Sequence, residues 1–376
     1  MANYIRKLDL TALLKKSSFF LFGPRGTGKS YLVRRTLTDC PVFDLLDDDV
    51  YQRLVRRPKR LSEEIPSSVR WVVIDEIQKV PSLLDEAHRL IEERKIRFLL
   101  TGSSARKLKR GGTNLLGGRA REAQLFPLIE SEIPDFSLSR YFNRGGLPRI
   151  YLSDEPEEDL KAYVHLYLNE EVKAEALTRK IENFIRFLDV MAFNNGQELL
   201  YQGISNDCGV PVRTVENYLS VLKDTLIGFE LYPFLASTKR KAITRTKFYF
   251  FDVGVAGFLA NRGVVKERSK SYGECFEHWL ILETRARLSY RRRDLPLQYW
   301  RTKNGFEVDL VLGREAAVEF KSTDDARPDH LRGLRALSEE RKIRQYFLVS
   351  NDPIARTIDG IRLLHWKDYL RELENV

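Results

Sequence analysis

The chain has 376 residues and a mass of 43.8 kDa, a length that predicts two or three domains rather than one core. It is 43% hydrophobic and 31% charged with 22 Gly and 14 Pro, which excludes collagen-like, disordered and disulfide-scaffold classes. Sixty-three Lys+Arg against 53 Asp+Glu leave a charge of +10, a balance that either attracts polyanions such as nucleic acid or marks a well-mixed, mildly basic surface.

Met1–Lys16 is amphipathic and interrupted by charge, unlike a secretory leader. From Ser17 to about Pro134, short apolar runs (Phe19–Phe22, Val69–Ile74, Arg97–Thr101) alternate with helical patterns, which predicts a mostly parallel sheet with helices on both faces. The segment Gly23-Pro24-Arg25-Gly26-Thr27-Gly28-Lys29-Ser30 fits G-x-x-x-x-G-K-[ST] between an apolar strand and a helical stretch. Its glycines let the backbone curl so that successive N–H groups and a helix N-terminus face phosphate oxygens. Lys29 is then expected to reach the β- and γ-phosphates and the Ser30 hydroxyl to ligate Mg²⁺. The strand Trp71–Ile74 ends in Asp75-Glu76, with Asp75 placed to hold the metal shell and Glu76 to orient or deprotonate the attacking water. The next strand runs into Thr101-Gly102-Ser103-Ser104, where Ser103 is either a sensor of the γ-phosphate or a plain turn residue. Arg119 is either a donor to the transition-state phosphoryl group, in cis or to a neighbour, or a surface arginine.

Asp75-Glu76-Ile77-Gln78-Lys79-Val80-Pro81, Leu100-Thr101-Gly102-Ser103-Ser104-Ala105-Arg106, Gly118-Arg119, Phe126-Pro127-Leu128 and Gly145-Gly146-Leu147-Pro148 together resemble a prokaryotic AAA-type ATPase family. Members of that family also carry a C-terminal domain of unknown function. The resemblance spans most of the chain, is most specific across residues 19–148, and implies ATP as the nucleotide.

A charge-rich helical stretch follows, from about Glu155 to Asp224. Ile204–Cys208, Gly209-Val210-Pro211, and then Val215, Leu219, Leu222 and Leu226 at helical spacing have the form of a helix-turn-helix, with Pro211 at the start of its second helix. Arg213, Thr214 and Asn217 lie on the polar face of that helix, where major-groove contact is expected of a DNA-binding module and plain solvation of any other helical domain. Phe229–Phe234 and Phe248–Phe251 bracket a basic tip and read as a β-hairpin wing. Lys239, Arg240, Lys241, Arg245 and Lys247 are expected to neutralise backbone phosphates there.

Strands return at Leu297–Trp300, Glu307–Leu312, Ala317–Lys321 and Tyr346–Val349, interleaved with helices at Gly273–Ser289, His330–Glu339 and Trp366–Leu373. Alternation along Ala317–Lys321 puts Glu319 and Lys321 on one face, one strand beyond Asp309. Two hard oxygen ligands, Asp309 and Glu319, suit Mg²⁺, and Lys321 is placed to position water or stabilise charge in phosphodiester cleavage. Glu277, on the helix upstream, offers a third acid. The order helix Glu, strand Asp, strand Glu-x-Lys resembles the restriction-endonuclease-like PD-(D/E)XK nuclease core, although Val308 stands where that family's proline would be. Such folds also persist as inactive binding platforms.

The expected architecture is therefore an α/β multidomain chain. It comprises an AAA-type P-loop ATPase core (1–135), a helical connector (136–180), a winged-helix-like domain (181–252) and a restriction-endonuclease-like domain (253–376). ATP and Mg²⁺ are the expected cofactors and DNA the expected partner. A protein partner and an oligomer are open, and no membrane is expected, since no apolar run approaches the roughly 18 residues of a spanning helix. Cys40, Cys208 and Cys275 match no zinc spacing and point to a reducing, cytoplasmic compartment. The function expected is an Mg²⁺-dependent ATPase whose hydrolysis gates a DNA-processing C-terminal domain, the alternative being a nucleotide-switched DNA- or protein-binding regulator.

Overall fold

Five segments of the N-terminal part line up as a wholly parallel sheet: β1 (Ser18–Phe22), β2 (Val42–Asp44), β3 (Trp71–Asp75), β4 (Arg97–Gly102) and β5 (Ala120–Gln124). The computed structural model describes residues 4–103, 116–168, 181–235, 240–340 and 342–374. Among these, residues up to 134 together with 221–227 make one compact unit, and 135–168, 181–220 and 228–374 make a second.

In the first unit the strand order is β2-β3-β4-β1-β5. β1 is buried at every position, which is why its sequence is a continuous run rather than an alternating one. Because β4 lies between β1 and β3, their C-terminal ends share one edge, with Phe22 beside Gly102 and Ile74 beside Leu100. The glycine-rich loop leaves the sheet at that edge, and β3 delivers Asp75 to it. β2 and β5 were not legible as strands. β2 has three residues, and Ala-Arg-Glu-Ala-Gln of β5 has no apolar run and is held by its register with β1.

The second unit is built on an eight-stranded sheet, with the predicted strands present to within a residue or two. The predicted strands are β6 (Gly228–Pro233), β7 (Lys247–Phe250), β8 (Leu297–Arg301), β9 (Glu307–Leu312), β10 (Ala316–Lys321) and β11 (Gln345–Ser350), and the sheet adds two that the sequence reading lacks, β12 (Arg356–Ile358) and β13 (Ile361–His365). Their order is β12-β13-β11-β10-β9-β8-β6-β7. The expected hairpin is present as the antiparallel pair β6–β7, but β6 also pairs in parallel with β8 through Tyr232 and Gln298. That pairing occupies an edge that would otherwise be bare, so the hairpin extends the C-terminal sheet and the sheet runs across the expected boundary at 252/253.

Helix Tyr201–Cys208, a turn at Gly209 (φ 66°) and helix Val212–Asp224 reproduce the predicted helix-turn-helix order. Pro211 precedes the second helix, where its carbonyl accepts from the N–H groups of Thr214 and Val215. The long helix Lys270–Tyr290 starts at Ser269, whose hydroxyl caps Tyr272 N–H, and buries Trp279 among Phe136, Phe142 and Trp366. Gly145 has φ 77°, and a Cβ there would run into the Asp252 carboxylate. That carboxylate accepts from Gly146 N–H at 2.7 Å and from Val255 N–H at 2.9 Å. The Gly-Gly-Leu-Pro connector is thus pinned to the first turn of helix Val253–Leu259.

Candidate functional sites in the two units

In the first unit the loop closes on itself. Gly26 and Gly28 sit at φ 79° and 89°, open to glycine and strained for other residues, and Gly28 hands the chain into helix Lys29–Thr36. Lys29 is buried, and its Nζ donates to the carbonyls of Gly23 (2.6 Å) and Pro24 (3.2 Å). The ammonium thus fills the hollow of the loop. Thr27 Oγ1 donates to Pro24 O at 2.9 Å, while Ser30 follows Lys29 half-buried and Arg25 is exposed. Gly23 admits no side chain, because a Cβ would collide with the Leu125 carbonyl.

Opposite the loop, Asp75 is buried at the end of β3 and accepts from the Thr101 hydroxyl; Thr101 Oγ1 in turn accepts from Glu76 N–H at 3.2 Å. Glu76 holds a left-handed backbone (φ 59°), a strained conformation that this bond helps to fix. Gln78 donates to the Glu76 carboxylate. Burial raises the Glu76 carboxyl above its usual range, with Lys29 opposing the shift and Asp75 reinforcing it. Thr101 and Gln78 had gone unassigned. Ser103 is buried just past β4, and Arg119 ion-pairs with Glu92 of helix Leu83–Arg94. The groups fit an Mg²⁺–nucleotide: the buried Lys29 ammonium suits the phosphates, while the Ser30 hydroxyl at the helix start and the Asp75 carboxylate at the end of β3 are hard oxygen donors suited to Mg²⁺.

The second unit gathers its own charged cluster. Asp309 on β9 accepts from Phe320 N–H of β10 at 2.8 Å, so the two strands carry Asp309 and Glu319 side by side. Lys321 Nζ lies 2.6 Å from Glu319 Oε1, while Glu319 Oε2 is buried with no hydrogen-bond partner. Glu277, from helix Lys270–Tyr290, accepts from Tyr249 Oη at 2.7 Å and lies 3.8 Å from Lys247 Nζ. Lys247 corrects the sequence reading. It is buried, 2.7 Å from Glu307 and over the Tyr299 ring, because alternation along β7 turns it with Tyr249 into this cluster rather than toward solvent phosphates.

Burial raises all three acids, pushing Glu277 up to about 7 with Asp309 adding to the shift. Asp309 and Glu319 rise for the same first reason, against the pull of Lys321. Burial lowers Lys247 and Lys321, but the surrounding carboxylates more than reverse that and hold both above the usual lysine value. Among the described residues no group of three or more His, Cys, Asp or Glu side chains is positioned to hold a metal ion. Glu277 is therefore not gathered with the other two as a third ligand, being drawn instead to Lys247 and Tyr249. Asp309 and Glu319 still fit Mg²⁺, which commonly takes one or two carboxylates and keeps several waters, and the orphaned Oε2 is a vacant hard donor.

Of the expected nucleic-acid contacts, Arg213 and Asn217 are exposed on helix Val212–Asp224 and Thr214 is half-buried. Lys239 lies outside the described residues. Lys241 is exposed, and Arg245 lies 3.4 Å from Glu198. Arg240 is engaged within the fold: it donates to Ala336 O and Glu339 and sits over the Phe306 ring.

Comparison with known proteins assigns the first unit. The AAA domain family matches residues 15–133, two families described as domains of unknown function (DUF8612 and DUF4143) match 135–265 and 272–369, and all three matches are of sequence. Residues 15–133 form an AAA-type ATPase-like domain. Uncharacterized proteins of Mycobacterium bovis and Mycobacterium tuberculosis are each 25% identical over 363 residues, 92% of this chain and 80% of theirs. A Signal Transduction ATPase with Numerous Domains (STAND) protein with a tetratricopeptide repeat sensor, from Pyrococcus horikoshii, is 12% identical with a TM-score of 0.23. That match covers 78% of this chain, which spans 48% of the solved one. Among the described residues, no helix is long and apolar enough to cross a membrane.

Proposed function

We propose that the chain is an Mg²⁺-dependent ATPase that binds DNA and uses nucleotide turnover to gate a phosphodiester-cleaving site in its second unit. The glycine-rich loop, with Lys29 and Ser30, binds the phosphates; Asp75 holds the metal's water shell; Glu76, raised by burial, takes the proton of the attacking water. Bound Mg²⁺ supplies charge neutralisation at both sites. In the second unit, Asp309 and Glu319 present oxygens and Lys321 steadies charge on the scissile phosphate. Arg213, Thr214, Asn217, Lys241 and Arg245 offer phosphate and base contacts. The observation that carries the reading of the second site is the buried, unpartnered Glu319 Oε2 beside Asp309 and Lys321.

The test is cleavage of plasmid and oligonucleotides with Mg²⁺ or Mn²⁺, with and without ATP, on wild type, Lys29→Ala and Lys321→Ala. Cleavage lost in Lys321→Ala and deregulated in Lys29→Ala supports the proposal. The second reading, a nucleotide-switched DNA- or protein-binding regulator, is favoured by Lys247: a buried ammonium already pairs with Glu277 and Glu307, which leaves those acids less free to hold a metal ion. ATP hydrolysis stimulated by DNA with no cleavage of any substrate selects it.

A further inference from the structure

The nucleotide loop is braced from behind by a residue far from its motif. Arg6 leaves 4% of its side chain exposed. Its Nη1 donates to Thr27 O at 2.8 Å, its Nη2 to Phe126 O at 2.5 Å, and its Nε lies 3.1 Å from Glu132 Oε2. Glu132, whose side chain is fully buried, also accepts from Lys7 N–H at 2.6 Å and Ile129 N–H at 3.1 Å. One guanidinium thus ties the loop to the chain beyond β5 and to the N-terminal segment.

Thr27 carries the consequence. A trans peptide holds its C=O and the following N–H on opposite sides of one plane. With the Thr27 carbonyl fixed on Arg6, the Gly28 N–H is turned to the other side, and Gly28 is the residue that starts helix Lys29–Thr36. Backbone N–H groups at such a helix start are what recognise phosphate. Thr27 Oγ1 on Pro24 O closes the same turn from within the loop.

We propose that Arg6 is a positioning residue for nucleotide binding, and that with Glu132 it presets the Thr27–Gly28 peptide so that the loop meets phosphate without reordering. This rests on the ATPase reading of the first unit. A loop that must be ordered on binding gives up affinity, whereas one ordered beforehand does not. The effect falls on affinity rather than turnover, since the bonds of Arg6 to Thr27 O, Phe126 O and Glu132 act on the phosphate loop and its backing.

The experiment measures a fluorescent ATP analogue's Kd and the steady-state hydrolysis of ATP on the full chain. The proteins are wild type, Arg6→Met, Arg6→Lys and Glu132→Gln, each checked by circular dichroism. Arg6→Met is expected to raise Kd and KM about tenfold with kcat changed less than about twofold. Arg6→Lys, which keeps a cation for Glu132 and one carbonyl, recovers part of that loss. Glu132→Gln, which removes the charge facing Arg6 and keeps one acceptor oxygen for either Lys7 or Ile129 N–H, raises Kd by about threefold. A folded Arg6→Met with wild-type Kd overturns the proposal. If Arg6→Met does not fold, Arg6→Lys and Glu132→Gln decide it, and wild-type Kd in both overturns it. Absence of ATP binding by wild type overturns the ATPase reading and this inference with it.

Discussion

Replacing Thr101 with Val removes one oxygen and keeps the shape, in a position with no solvent exposure. Two interactions go with it: the bond to the Asp75 carboxylate, and the one that satisfies Glu76 N–H and steadies its left-handed backbone. A hydrogen bond to a charged group is worth about 1.5–3 kcal/mol and a neutral one about 0.5–1.5. If about half of the total is expressed where Asp75 and Glu76 act, the barrier to hydrolysis rises by about 1–2 kcal/mol, or roughly 5- to 30-fold in kcat. ATP affinity should move less than about threefold, because the loop glycines and Lys29 are untouched. The assay is steady-state ATP hydrolysis beside direct nucleotide binding, with Thr101→Ser, which keeps the hydroxyl, expected near wild type. A kcat for Thr101→Val within about twofold of wild type refutes the reasoning, as does a loss of affinity equal to the loss of kcat.

Two further outcomes concern the second unit. The Glu277 carboxyl, pushed up to about 7 from 4.5, keeps a proton that the unfolded chain releases, so its burial costs nothing near pH 4 and an increasing amount up to pH 7. The difference corresponds to ~3 kcal/mol, which screening of a side chain 28% exposed lowers to about 1–2. Glu277→Gln should therefore be more stable than wild type at pH 8 and equal near pH 4 in denaturant titrations; a gap that persists at low pH contradicts the assignment. Lys247→Met leaves Glu307 and Glu277 without their ammonium and should destabilise the second unit by about 2–3 kcal/mol, part of it recovered by adding Glu307→Gln. The salt slope of DNA binding should stay the same, and a slope reduced by about one would return Lys247 to the phosphate contacts.

What was legible in the sequence was local. The glycine spacing before Lys29, the carboxylates ending β3 and the alternation that pairs Glu319 with Lys321 need only a few neighbouring residues to be read. Thr101 was passed over because its role depends on β4 lying between β1 and β3, a fact of tertiary order. Lys247 was placed with its basic neighbours because its partners, Glu277 and Glu307, arrive on a later helix and strand. Arg6 gave no signal at all: its acceptors are mostly main-chain carbonyls, which any sequence supplies. The strand β5 escaped for a similar reason, since register with β1 holds it while its own residues are polar.

The sharing of one sheet by β6–β7 and the C-terminal strands bears on how the chain can be dissected. A fragment begun at 253 would carry Glu277, Glu307 and Asp309 without the ammonium and phenol that Lys247 and Tyr249 supply. It would also bare the flank of β8 that β6 covers, a row of backbone groups open to pairing with other chains. Self-association of such a piece would then report a missing border rather than a natural assembly. The shortest cut that keeps both the counter-charges and the covered flank starts ahead of Gly228.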